Sequence, residues 1–203
     1  MNRLLPALAG IAFTAATASA QLAPVKAGVL HWAGLAPADA GGGRVERLVL
    51  SGSTLDLDAL EVRAITIPFR EAPDTAVADD SLESFVLLKE GKVMASLNGV
   101  IRTLGPGGIA LVLPGDRLVV TNTGGTPATY YRFSYRSRQP MNLERGRQAG
   151  GSFMLDYTEL TEKPTAVGYR RDVLNRPTAM FRRFESHWSS VKQGVRKIGR
   201  AHV

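Results

Sequence analysis

Three carboxylates, Asp79, Asp80 and Glu83, fall within one short segment, AVADDSLESFVLLKEGKV (Ala76–Val93). Grouped acids can hold a hard cation through oxygen, but an Asp-Asp-Ser run ahead of an apolar stretch reads first as an exposed turn or a strand start. Glu185 and His187 stand two apart in a predicted strand, so both side chains leave one face; with no further ligand beside them, a structural role is the simpler reading. His31 has no partner motif and reads as a solvated or hydrogen-bonded imidazole. Ser53 and Ser84 lack the local His and Asp arrangement that would activate a hydroxyl. The glycines of AGGGR (Ala40–Arg44) lack the lysine and the strand-to-helix context of a phosphate loop, and read as a flexible linker.

Arginine interleaved with aromatics in TYYRFSYRSR (Thr129–Arg138) superficially suits single-stranded nucleic acid. Strand alternation gives a simpler account: Tyr131, Phe133 and Tyr135 face one side and the arginines the other, as in a half-buried edge strand. The charge distribution also speaks against nucleic acid. The chain of 203 residues carries a formal charge of +7, and Arg170–Val203 alone holds nine Lys and Arg against Asp172 and Glu185. The rest of the chain is neutral, so its folded part has no basic bias towards phosphate.

The elements that must position these residues are short apolar runs, among them LEVRAITIPF, SFVLLKEG, KVMASLNG, IALVLPGD and RLVVTNTGG. Gly, Pro and Asn break them at roughly the 8–12-residue spacing of an all-β sandwich or barrel. No run has helical periodicity. Asn98-Gly99 marks a tight hairpin, because both central positions of that turn need positive φ. The first twenty residues combine Arg3, an apolar run and a small-residue ending, Ala18-Ser19-Ala20. That is the pattern of a cleaved secretory signal and places the protein in the periplasm or outside the cell. No later run is long and apolar enough to span a bilayer, and the absence of cysteine rules out disulfides and thiolate metal sites.

Self-comparison reveals a repeat. Trp32 and Leu35 of HWAGL recur as Tyr157 and Leu160 of DYTEL, and Gly43 recurs as Gly168, all 125 residues apart. LEVRAIT from Leu60 aligns with FESHWSS from Phe184 at 124, which sets Glu61 and Arg63 opposite Glu185 and His187. These ordered matches indicate a tandem duplication in which the equivalent of Asp80 falls beyond Val203.

With these motifs placed, Leu60–Tyr135 resembles the cupin superfamily. The residues that carry the resemblance are Glu83 and the KEGKV turn, the Gly-rich turn of LGPGG, Pro114-Gly115-Asp116, and Asn122. Over about Val29–Ser190 the layout resembles the N-terminal barrel of a secreted bicupin with a truncated second cupin. The resemblance implies an all-β, double-stranded β-helix (jelly-roll) barrel. The domain organisation expected is a signal peptide at 1–20, an N-terminal arm with the first strands at 25–59, and the cupin barrel at 60–140. A linker and the start of the second cupin follow at 141–190. Residues 191–203 are expected to be a disordered or artefactual tail, since Ile198–Val203 resemble a translated sequencing adapter.

The four positions where the family usually places its metal ligands read Ala78, Asp80, Ser84 and Leu118. The resemblance therefore implies a metal-free barrel without a cofactor of its own, a divalent metal belonging instead to the second barrel. The expected role is binding a small polar molecule, with Arg63, Asp80, Glu83, Arg102 and Tyr131 lining the mouth, or supporting the partner cupin domain. The alternatives are an inactive fragment of a metal-dependent bicupin enzyme and a structural module forming a homodimer through edge strands. No nucleic-acid partner and no membrane span are expected.

Overall fold

Alternation along the strands decides which side of each is buried, and it assembles the chain into facing antiparallel sheets. The computed structural model describes residues 22–69, 73–77 and 80–195. The strands are β1 (Pro37–Asp39), β2 (Val45–Gly52), β3 (Leu57–Ile67), β4 (Asp74–Val77), β5 (Glu83–Glu90), β6 (Val93–Leu97) and β7 (Val100–Leu104). They continue as β8 (Ile109–Val112), β9 (Arg117–Asn122), β10 (Ala128–Ser137), β11 (Phe153–Leu155), β12 (Glu162–Thr165), β13 (Gly168–Arg176) and β14 (Phe184–Val191).

One sheet runs β1-β2-β3-β10-β5-β8-β11 and faces a second, β4-β9-β6-β7. The space between them is filled by Ile65, Ile67, Val86, Leu88, Ala110, Val112 and Tyr130 from the first, and by Val93, Ala95, Leu97, Leu104, Leu118 and Val120 from the second. Fully burying each larger aliphatic side chain contributes roughly 1.5–3 kcal/mol. This two-sheet closure is the all-β jelly roll that the motifs imply. At the β6–β7 hairpin, Asn98 (φ 49°) and Gly99 (φ 85°) adopt the left-handed pair expected of Asn-Gly.

Two features depart from the sequence reading. β10 is not an edge strand: it pairs with β3 on one side and β5 on the other, at the centre of the large sheet. Its arginines suggested a solvent edge, whereas here they sit towards the open end of the barrel. A short helix, α1 (Leu143–Gln148), also forms after β10, capped by the Asn142 side chain accepting from the Arg145 N–H at 2.7 Å. Six residues are too few to reveal a helical period.

After β11 the chain builds a separate three-stranded sheet, β12-β13-β14. The segment entering β14 lies on the outer face of the large sheet. There Phe184 meets Phe85 edge-on (centroids 5.6 Å apart) and Phe181 lies 5.3 Å from Tyr135. Trp188 packs against Tyr157 at 5.9 Å. This small sheet repeats the beginning of the chain. A 3-10 turn at Trp32–Gly34 precedes β1, β2 and β3, and another at Tyr157–Glu159 precedes β12, β13 and β14. The β2–β3 register shifts between Leu48 and Leu50, and the β13–β14 register shifts between Asp172 and Leu174, the same two positions 124 residues later. A bulge is a specific local feature, and the two fall at the same offset as the matched residues.

Asn122 ties the barrel wall together from inside. Its buried amide donates to the Ile67 carbonyl at 3.0 Å and the Thr126 carbonyl at 2.8 Å, while its oxygen accepts from the Gly124 N–H at 2.9 Å. Asn122→Ala leaves these groups without that partner and should lower the unfolding free energy by about 2–4 kcal/mol. Urea denaturation checks this; a loss under about 0.5 kcal/mol, the range of an ordinary surface change, would contradict it.

Candidate functional site: the barrel mouth

The β3–β10–β5 register fixes what the barrel interior offers. Along the inner face, Ile67 pairs with Ala128, Ile65 with Tyr130, Arg63 with Arg132, and Glu61 with Ser134. The lining therefore changes from apolar to charged within one sheet. At the charged end Arg63 donates to Glu61 at 2.6 and 3.0 Å and to Glu46 at 3.3 Å. Its hydrogen bonds hold the Glu61 carboxyl below the usual carboxylate range, with smaller help from the charges of Arg63 and Arg132 and against partial desolvation. The same bond to Glu61 raises the Arg63 pKa. On the adjoining strand β5, Ser84 is paired with Ser134, and their hydroxyls lie 3.2 Å apart. An open cavity of about 550 Å³ lies over this end, lined by Leu22, Ser51, Ala59, Leu60, Glu61, Leu82, Arg132 and Ser134.

Below the mouth the barrel is closed. Leu118 is fully buried within the core, and the void it helps line measures about 10 Å³. That is at the lower limit for a single water, and its wall is almost wholly apolar. Of the other positions aligned with the family's metal ligands, Asp80 is exposed in the turn before β5, Ser84 bonds to Ser134, and Ala78 lies outside the described residues. Among the described residues no group of three or more His, Cys, Asp or Glu is placed to hold a metal ion. The packed aliphatic side chains do not fit a metal: they supply neither a donor nor space.

The five ligand candidates are dispersed. Arg63 sits at the mouth, where it holds Glu61. Asp80 is exposed in the turn before β5, beside Gly115, and does not line the mouth cavity. Tyr131 is on the opposite face of the large sheet, paired with Ala64 and Leu87. Arg102, on β7, reaches across to β11, donating to the Met154 carbonyl at 2.9 Å and to Glu159 at 3.1 and 3.2 Å. It clamps the edges of the two sheets. Beside it, Asp156 accepts from the Gly105 N–H at 2.7 Å; desolvation is the largest single influence and acts to raise its carboxyl, but the hydrogen bonds from Gly105 and Thr158 with the Arg102 charge together hold it below the usual carboxylate range. Glu61, Arg132 and Ser134 were not among the ligand candidates read from the sequence. The signal was available, because each is an even number of residues from Arg63 or Tyr130 along its strand.

Glu83 departs furthest from expectation. As the first residue of β5 it points to the outer face, like Phe85 and Leu87, and is wholly buried there beneath the C-terminal segment. It accepts from the Tyr135 hydroxyl at 2.6 Å and from the backbone N–H groups of Ala179 (3.0 Å) and Met180 (3.2 Å), with the Thr178 hydroxyl beside them. Desolvation pushes its carboxyl above the ordinary range, although all four hydrogen bonds oppose this. Burial and the adjacent Glu83 charge likewise push the Tyr135 phenol well above its usual value.

A raised carboxylate means that the folded state keeps its proton to higher pH than the unfolded chain does. Glu83 therefore contributes a stability term that is full below the ordinary carboxylate value and is lost as pH rises through the raised one. Urea midpoints measured across that interval should fall with pH, and Glu83→Gln should remove this part of the slope. An unchanged slope in the variant would show that other groups carry it.

No family model matches the chain, and no curated protein matches it. Solved structures do. Protein Ylba from E. coli, of family model DUF861, superposes with a TM-score of 0.53 at 15% identity, over 69% of this chain and 54% of its own. The putative glyoxylate induced protein from Pseudomonas aeruginosa superposes with a TM-score of 0.51 at 14% identity, over 68% and 52%. This chain thus spans about half the length of either. An RmlC-like cupin from Shewanella frigidimarina is similar over 59% of this chain and 96% of its own, with a TM-score of 0.45 and 18% identity. Two facing antiparallel sheets, β10 inserted between β3 and β5, and the likeness to the first two of these structures lead to one conclusion: the chain has the cupin fold.

Proposed function

We propose that this is a metal-free cupin barrel of a secreted protein, and that its role is to support a partner cupin domain. The observation that carries the reading is the filled interior, where Leu118 stands fully buried at an aligned ligand position and the void is about 10 Å³. A barrel packed in this way has given its interior to stability, and what it offers a partner is surface. The repeat supports the same reading, because β12-β13-β14 reproduce the opening strands of the barrel down to the bulge. We read them as the start of a second cupin, with any divalent metal belonging there. The proposed location, periplasmic or extracellular, rests on the leader pattern of residues 1–20, which lie outside the described residues.

A second reading is favoured by one specific observation, the cavity of about 550 Å³ over Glu61, Arg132 and Ser134. The charges there are paired, with Glu46 and Glu61 facing Arg63 and Arg132, so a neutral polyol or sugar would suit it better than an ion. Hydroxyl groups can exchange hydrogen bonds with both signs of charge without leaving either unpaired.

Thermal unfolding separates the two. Saturating a true site at a hundred times its Kd stabilises a protein by about 2.7 kcal/mol. The support reading expects no shift in Tm with Mn²⁺, Ni²⁺ or Zn²⁺, and none with a panel of sugars and organic acids. A metal-induced shift would overturn the metal-free assignment. A sugar-induced shift that disappears in Glu61→Gln would establish the mouth as a binding site.

A further inference from the structure

We infer that the junction of the β2–β3 turn, the link between β10 and α1, and the segment before β14 is a docking surface for the partner domain, and that it receives an acidic side chain flanked by aliphatic residues. The inference deepens the support reading, on which it rests, by naming the chemistry of the partner.

An open cavity of about 490 Å³ lies at this junction, apart from the barrel mouth. It is lined by Leu55 and Asp56 from the turn, Arg138 and Met141 from the link, Arg145 from α1, and Arg182 from the segment ahead of β14. Its walls are tied to one another. The Arg138 N–H donates to the Asp56 carbonyl at 2.9 Å and its guanidinium to the Thr54 carbonyl at 3.1 Å, which holds the link against the turn. The Asn142 N–H donates to the Ala179 carbonyl at 2.9 Å, and the Thr178 N–H to the Phe181 carbonyl at 2.8 Å, which fixes the last wall. A surface already held in this way loses little freedom when a partner docks.

Its charges are not balanced as those of the mouth are. Three arginines face one acid in the lining, Asp56. Arg138 is paired with Asp58 at 3.4 Å. Arg145 donates to the carbonyls of Thr178 and Ala179, neutral acceptors that orient its guanidinium without cancelling its charge. Arg182 is exposed and makes no hydrogen bond or ion pair with another of the described residues. The charges alongside are engaged elsewhere: Arg183 with Glu185, Glu144 with Gln148, and Glu83 with its own donors, buried behind the turn. Asp56 offsets one of the two remaining arginines and leaves one positive charge. A single carboxylate restores the balance, and its bonds to a guanidinium are of the strong, charge-assisted kind.

The apolar residues indicate that the carboxylate comes on a protein. Leu55 is 89% exposed and Met141 44%. A small anion lodged among the arginines would leave both in water, whereas a polypeptide segment carrying the acid between aliphatic side chains would cover them.

The test uses the full chain and two peptides with blocked ends, Gly-Leu-Asp-Leu-Gly and its counterpart with Asn for Asp, followed through the NMR shifts of the Met141, Arg145 and Arg182 amides. The Asp peptide is expected to saturate these shifts, the Asn peptide to bind about tenfold more weakly, and R182Q to weaken the Asp peptide by about the same factor. D56N is expected to act in the opposite direction and tighten binding roughly threefold. Both side chains are exposed, so neither substitution should move the urea midpoint and a changed affinity is not a loss of fold. Failure of the Asp peptide to saturate by about 10 mM would overturn the inference. So would equal binding of the two peptides, or an unchanged affinity in R182Q. Shifts of the same amides on diluting the free chain would also overturn it, because a second copy would then cover this face. The metal and sugar responses that decide the support reading are measured without these peptides, so either idea can fail alone.

Discussion

A carboxylate that has lost its water has to find donors elsewhere, and Glu83 finds them in a part of the chain nearly a hundred residues away. Its hydrogen bonds to Ala179 and Met180 fix the backbone just before β14, and its bond to Tyr135 anchors the same point to the centre of the large sheet. Arg145 bonds the carbonyls of Thr178 and Ala179 from the other side, at 2.9 Å each. Once this turn is fixed, Phe181 and Phe184 must lie on the aromatic outer face. The position of the small sheet follows from theirs. Removing one partner from such a buried charged cluster is costly because the other groups remain desolvated.

The barrel divides its two roles between its two ends. Aliphatic layers from both sheets close the lower part, while charges paired across β2, β3 and β10 keep the mouth polar without a net charge. The same wall serves both because alternation places Ile65 and Arg63 on one face, two residues apart. Leu118, fully buried in the packed interior, adds apolar contacts there and brings no polar group that would need compensation.

Much of this was legible in the sequence because it depends on local patterns. The runs from Leu60 to Tyr135 gave the strands, and Asn98-Gly99 its hairpin. The site was less legible, since facing depends on register with distant strands. Tyr131 and Arg132 are neighbours in sequence, yet one lies on the outside of the barrel and the other at its mouth. Glu83 looked like a ligand candidate because its partners, the amides of residues 179 and 180, have no sequence signature. Arg102 looked available because Glu159 lies on the far side of a barrel that only tertiary structure closes.

Of the two tryptophans of the chain, Trp32 precedes β1 and Trp188 lies in β14 of the small sheet. Trp32 lies beneath two cations, with Arg47 at 4.7 Å and Lys89 at 4.5 Å from its ring, whereas Trp188 meets the edge of Tyr157. One indole thus experiences a strong local field from positive charge and the other an aromatic neighbour, so their emission should differ in energy and in quenching. The protein carries a built-in optical probe for each half, able to distinguish whether the first barrel and the small sheet come apart in one event or in two.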